Sequence, residues 1–340
     1  MKVERKIARL AQLVEHSLDV GRVRGSNPLS RTKTYMSFES KPQDSFENTD
    51  LNKEHLKESF GVALCAKLKD GSTAQLSEQI DFVEKMRPSA IQFDFRNRTL
   101  EEIQQSKQSL HQLVERNPNM RLSIHGETPK INESDLSIKN LERIAFELNL
   151  VDDLKTESFT IHPPSINTKL FQEASEEIRE KILENYSTPF VNQIIHTINL
   201  GQTLCIAIEN MPTKGEEGSF GQTPEELKVL LSSIEARLVE SGIDQQTSSE
   251  HIGITLDINH ALHGVDPEEY EQKLTEWFVQ LKNDIKVIHL YTPSEMGNDI
   301  ENKHNLVLDL AAKYSPDTQL FLESKQNLET TENIYKTIKT

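Results

Sequence analysis

The sequence predicts one α/β domain over residues 58–340, a closed (β/α)₈ barrel. Three observations predict it. Short apolar runs alternate with longer amphipathic segments from Phe60 onward, eight strand–helix units in succession, and that alternation implies right-handed βαβ units and a parallel sheet. The runs are near-continuously apolar, as strands covered on both faces must be. The eight units fill roughly 280 residues, the expected size of such a barrel. A doubly wound open sheet is the alternative. No Gly-rich phosphate fingerprint follows the first run, which removes the usual dinucleotide-binding version of that fold.

Taken in order, the strand candidates are FGVALCA (60–66), SAIQFDF (89–95), MRLSIH (120–125), SFTIH (158–162), TLCIAIEN (203–210), IGITLD (252–257), IKVIHLY (285–291) and TQLFLES (318–324). Helical spacing fills the intervals. LSEQIDFVEKM follows the first run, LEEIQQSKQSLHQLVER the second and LSIKNLERIAFELNL the third. A long stretch from Lys169 to Leu200 follows the fourth, PEELKVLLSSIEARLVES the fifth and PEEYEQKLTEWFVQLKN the sixth. NLVLDLAAKY and TENIYKTIK complete the series.

Composition sets bounds on function. The 340 residues are 35% hydrophobic and 27% charged, and no apolar run approaches the length of a membrane span. No secretory-signal pattern opens the chain. Cys65 and Cys205 sit inside apolar runs and read as buried core thiols in a reducing, cytoplasmic setting, neither a disulfide nor a metal pair. The formal net charge of −16 disfavours global attraction to a nucleic-acid backbone, although a local basic groove remains compatible with it.

Residues 1–57 read as an extension outside the barrel. The first 36 hold eight Lys/Arg against three Asp/Glu, a net of +5 that leaves −21 for the remainder. The words "AQLVEH" and "GSNP" back-translate into strings that resemble the D-arm and T-arm of a transfer-RNA gene. Residues 1–35 therefore read as a mistranslated upstream gene segment, with Met36 the start. A basic amphipathic arm is the alternative, because Ile7, Leu10, Leu13 and Val14 recur at helical spacing. Residues 37–57 are polar and read as a loose lead-in.

The ends of the strand candidates carry the chemistry. The third closes on His125, the fourth on His162, the fifth on Glu209 and the sixth on Asp257, with His260 just beyond; the seventh carries His289 and the eighth Glu323. Functional side chains of such barrels sit where strands run out into the following loops. Three buried imidazoles and three buried carboxylates on one rim would be penalised heavily by desolvation unless a cation offsets it. These residue types suit zinc or manganese, and the carboxylates also suit magnesium. Lys214, Arg96 and Arg98 fall in rim loops, where solvation is the default reading and a phosphate contact the alternative. His111, His196 and His263 read as structural or surface residues.

These motifs, "SIHG", "TIHPP", "IENMP", "LDINH", "VIHLY" followed by "ENKH", and "FLES", resemble the endonuclease IV / xylose isomerase-like TIM-barrel superfamily over about residues 60–335. The superfamily spans apurinic endonucleases and sugar isomerases or epimerases. The resemblance implies a metal quartet at Glu209, Asp257, His289 and Glu323. Its endonuclease branch implies two further ligands, His125 and His162, and a third-metal set at His260, Asn302 and His304. Asn302 departs from that branch, which has an aspartate there. A neutral amide is the weaker ligand, and the expectation is one or two ions.

Two enzymatic readings follow from the resemblance. The first is a divalent-metal-dependent sugar or sugar-phosphate isomerase or epimerase using Mn²⁺, Mg²⁺ or Zn²⁺, with Glu209 and Glu323 exchanging a proton beside a carbonyl. The second is a zinc-dependent endonuclease acting at abasic sites in DNA. The acidic barrel and Asn302 favour the first. A non-catalytic binding barrel is the third and weakest reading, since the quartet is intact.

Overall fold

In the computed structural model, the described residues are 49–66, 74–132, 134–215, 218–291, 300–324, 328, 329, 331, 332 and 335. Eight parallel strands close in chain order: β1 (Gly61–Leu64), β2 (Ala90–Asp94), β3 (Arg121–His125), β4 (Ser158–Ile161), β5 (Cys205–Glu209), β6 (Ile252–Asp257), β7 (Ile285–Tyr291) and β8 (Gln319–Ser324), with β8 returning to pair with β1. Around them run α1 (Thr49–Glu58), α2 (Leu76–Met86), α3 (Leu100–Arg116), α4 (Leu141–Asp153), α5 (Thr168–Glu173), α6 (Glu176–Asn199), α7 (Pro224–Glu240), α8 (Gln245–His251), α9 (Ile258–Ala261), α10 (Tyr270–Leu281) and α11 (Ile300–Tyr314). The expected (β/α)₈ barrel is the fold.

Helix starts follow local capping chemistry. Thr99 accepts from the Glu102 amide at the head of α3, and Thr223 accepts from the Glu226 amide at the head of α7, so both starts carry the T-x-x-E signature. The expected helix from Leu136 begins instead at Leu141. Leu136 takes a left-handed φ of 62°, and Ile138 bridges to Ile131. The long stretch 169–200 divides into α5 and α6 because Ser175 leaves the helical region and caps α6 through the Ile178 amide. Residues 49–57 are not a loose lead-in. Leu56 of α1 is fully buried, and Asn52 donates to the Ala312 carbonyl of α11 at 3.0 Å. The apolar anchor outweighs the polar composition around it. The rest of the expected extension, residues 1–48, lies outside the described residues, as does most of TENIYKTIK.

Alternation along the strands sorts side chains to two faces. The outward face packs under the helices; Ile206, Ile208, Ile254, Leu256, Ile288 and Leu290 all join the main core. The inward face builds layers. The lumen floor holds Ala63, Ala90, Ala207, Val287 and Phe321. Polar side chains share that level: Gln92 donates to Ser123 Oγ at 3.0 Å and Thr160 Oγ1 at 3.1 Å, and Thr160 meets Thr255 at 2.9 Å. These bonds satisfy hydroxyl and amide groups that would otherwise be buried unpaired.

One irregularity sets the last third of the barrel. Ile254 pairs with Ile285, but Thr255 pairs with Val287, so β7 carries one extra residue, Lys286. Beyond this bulge the register places Asp257 beside His289. Gly253 faces the bulge; a Cβ there would stand 2.2 Å from Lys286 Cγ and 2.7 Å from the Asp284 carbonyl oxygen.

Candidate metal centre

The C-terminal end of every strand delivers a polar side chain to the barrel mouth. Two residues above the polar layer come Asp94, His125, His162, Glu209, Asp257, His289 and Glu323, with Cys65 just past β1. The register aligns them: Asp94 pairs with His125, and Asp257 with His289. His125, Glu209, Asp257, His289 and Glu323 are at most 2% exposed, and His162 is 9% exposed.

Two groups of candidate ligands form here. Glu209, Asp257, His289 and Glu323 each bring one ligand atom within 4.8 Å of the others, and so do His125, His162 and Glu209. Glu209 belongs to both. Its Oε2 lies 2.5 Å from His125 Nε2 and 3.1 Å from His162 Nε2. Its Oε1 lies 3.8 Å from His289 Nδ1, which in turn lies 3.5 Å from Glu323 Oε2.

The donor set fits a divalent cation. Among the described residues, Glu209 Oε1, Asp257 Oδ2 and both ring nitrogens of His289 have no hydrogen-bond partner although fully buried. Native proteins rarely leave such atoms unmatched. Ligands bound to one ion at about 2.0–2.2 Å stand roughly 3–3.5 Å apart, close to the spacings found. The bonds to His and carboxylate are those zinc and manganese accept.

Electrostatics reflects the crowding. Burial pushes Asp257 up to about 7, with Glu323 and Glu209 adding to it against His260. Glu209 goes the other way: burial opposes it, yet the His125 and His162 rings hold it well below the usual carboxylate range. Burial lowers His162 to about 4. The surrounding carboxylates raise His289 in spite of its burial.

Asp257 does two things at once. Its Oδ1 accepts from the His260 amide at 2.8 Å and caps α9, while Oδ2 faces the quartet. The His260 ring is turned by Nδ1, which donates to the Asn210 carbonyl at 2.8 Å and lies 3.5 Å from Glu209 Oε1; that tautomer leaves Nε2 as the acceptor. His304 is buried within α11 and joins neither ligand group among the described residues. The Asn302 side chain lies outside the described residues.

Cys65 is buried as expected, and its thiol donates to Glu323 Oε1 at 3.2 Å. Two expectations from the sequence are corrected. Cys205 is only partly buried. Arg98 is no rim cation. It is buried, donating to the carbonyls of Asp94 and Ala74, to Glu102 at 2.6 Å and to Gln79 at 2.7 Å. Lys214 is exposed.

Asp94 is the residue that the strand-end reading missed, and Arg96, expected to be a solvated rim-loop cation, is instead paired to it. The Arg96 guanidinium folds over the mouth, with Nε 2.9 Å from Asp94 Oδ1 and Nη2 3.1 Å from Oδ2. Nη2 also reaches Glu323 Oε1 at 3.4 Å, and Nη1 meets His162 Nε2 at 3.0 Å. The signal for Asp94 was its parity with Gln92, masked by an apolar run that seemed to close on Phe95. A cleft of about 380 Å³ opens over this group, lined by Cys65, Asp94, Arg96, His162, His260 and Glu323 among others. Its size suits a small molecule.

No protein-family model matches the chain, and no curated protein matches it. Solved structures do. An L-ribulose 3-epimerase is 10% identical with a TM-score of 0.52, covering 82% of this chain and 86% of its own. A D-psicose 3-epimerase from Clostridium cellulolyticum H10, solved with D-tagatose, is 11% identical with a TM-score of 0.50 over 82% and 90% of the two chains. The probable 3-DHS dehydratase AsbF of Bacillus anthracis is 13% identical with a TM-score of 0.51 over 82% and 97%. At these identities the likeness is one of fold alone, the closed (β/α)₈ barrel.

Proposed function

We propose that this chain is a divalent-metal-dependent isomerase or epimerase of a sugar or sugar phosphate. One observation carries the reading. Glu209 and Glu323 belong to a single ligand group, Glu209 Oε1 and Glu323 Oε2 both lie near His289 Nδ1, at 3.8 Å and 3.5 Å, and their other oxygens are held differently. Glu209 Oε2 faces two imidazoles, whereas Glu323 Oε1 faces the Cys65 thiol and the Arg96 guanidinium. Two carboxylates in unlike surroundings suit the separate roles of base and acid.

Glu209, Asp257, His289 and Glu323 would hold the ion. When bound, it supplies Lewis-acid polarisation of a carbonyl and its neighbouring hydroxyl. Glu209, hydrogen-bonded by the His125 ring, removes the proton from the carbon beside the carbonyl. Glu323 returns a proton to the other face, which inverts that centre. His260 Nε2 accepts from a substrate hydroxyl. Asp257 needs no proton role; its capping bond fixes the turn that carries His260.

A second reading, cleavage of DNA at abasic sites, is favoured by the sharing of Glu209 between two ligand groups, as a two-ion phosphodiester hydrolase requires. The formal net charge of −16 weighs against it. The deciding experiment offers both substrates. Solvent deuterium should enter ketoses or aldoses in the presence of Mn²⁺ or Mg²⁺, and an oligonucleotide with one abasic site should stay intact. Incision without exchange would overturn the proposal. Incision that appears only in Asn302→Asp would identify an endonuclease scaffold lacking its third ligand set.

A further inference from the structure

We propose that Arg96 is a built-in cation that restricts the site to one divalent ion by engaging the His162 nitrogen a second ion would need. The inference rests on the metal-dependent reading above. It starts from the chemistry of the guanidinium, which has donors and no acceptor. Nη1 lies 3.0 Å from His162 Nε2, so this nitrogen must be the acceptor and its lone pair points at Arg96. The ring proton then sits on Nδ1, where the Thr128 hydroxyl receives it at 2.6 Å. Both edges of the ring are thereby committed. An ion held by His125, His162 and Glu209 would require the same Nε2 lone pair.

The guanidinium is fixed in place. Asp94 grips it through both carboxylate oxygens and also accepts from the Arg96 backbone amide at 2.8 Å, and a bidentate pair of this kind is geometrically specific. Its side chain is 17% exposed, against 8% for Asp94. Asp94 is itself anchored, because its carbonyl oxygen accepts from buried Arg98. The 3.4 Å approach of Nη2 to Glu323 sets Arg96 between the two ligand groups, touching one member of each. The quartet keeps its four ligand atoms; the His125–His162–Glu209 group does not keep its three.

The test is ion stoichiometry, read on the full chain by equilibrium dialysis against Mn²⁺ with electron paramagnetic resonance as the second readout. The wild type should bind one Mn²⁺ and give the six-line spectrum of an isolated ion. Arg96→Met should bind two, with the spectrum of an exchange-coupled pair, and adding His162→Ala should return it to one. Arg96→Lys, which keeps a cation at this place, should stay at one. If Arg96→Met fails to fold, Asp94→Asn removes the anchor and should show the same gain. Two ions in the wild type, or one in every folded variant, overturns the inference. A wild type that binds no divalent ion defeats the metal-dependent reading itself, and the two failures are distinguishable by that count.

Discussion

His289 Nδ1 stands 3.8 Å from Glu209 Oε1, too far for a hydrogen bond and close to the span of two ligands on one ion. Removing a ligand carboxylate deletes both a donor and a charge. Glu209→Gln and Asp257→Asn should each lose most of the bound metal, measured by elemental analysis after reconstitution. Retention of the full complement in both variants would contradict the quartet as the site.

Leu56 is the anchor of α1 against the barrel, fully buried in the main core. Truncating a buried leucine to alanine typically destabilises by roughly 2–5 kcal/mol. Leu56→Ala should therefore lower the unfolding free energy from denaturant titration by an amount in that range, whereas Leu51→Ala, at a side chain 66% exposed, should change it little. Equal, negligible effects would mean that α1 does not contribute to the fold.

Glu147 gives a pH dependence of stability from a carboxyl that belongs to neither ligand group. It is fully buried, bonded to Arg143 at 2.6 Å and to the Glu127 amide at 2.9 Å, and burial raises it from 4.5 to about 7 in spite of Arg143. A carboxyl that holds its proton more tightly when folded stabilises the fold below its unfolded pKa. That contribution is lost as pH rises from about 4.5 to about 7, a span of at most roughly 3.5 kcal/mol at about 1.4 kcal/mol per unit. Denaturant titrations with metal present should show stability falling across this window in the wild type, and a flatter profile in Glu147→Gln. Parallel profiles would refute the assignment.

Neither thiol should react in the native state. Burial first, then Glu323, pushes the Cys65 thiol well above its usual range, and burial raises Cys205 to about 12. Thiolate is the reactive form. Iodoacetamide at pH 8 should label both cysteines only after unfolding, read by intact mass. Rapid uptake of one equivalent by the folded protein would show an exposed thiolate.

Much of this was legible because strand ends are where a barrel keeps its chemistry. His125, Glu209 and Asp257 are the last residues of β3, β5 and β6, and His162 follows β4 directly. Asp94 and Cys65 were not legible. Cys65 looks like any apolar neighbour of Leu64 and Ala66, and Asp94 lies between two phenylalanines, so only barrel register reveals that both face the mouth. Arg96 is a loop residue by sequence, and no periodicity signals that a guanidinium will fold back onto an aspartate two residues earlier. The α1 helix was obscured for the opposite reason: its polar composition says little about one leucine that packs.

The extra residue in β7 works like a frameshift in the pleat. Strand side chains alternate with a period of two, so a slip of one exchanges the two faces. Paired residue for residue from Ile285 with no bulge, β7 would set Ile288 beside Asp257 and turn the imidazole outward under the helices. Gly253 is the partner to this punctuation, since a side chain there would collide with Lys286 and Asp284. The two positions act as one unit: the inserted residue brings the His289 ring into phase with Asp257, and the bare glycine opposite leaves the room that the insertion takes.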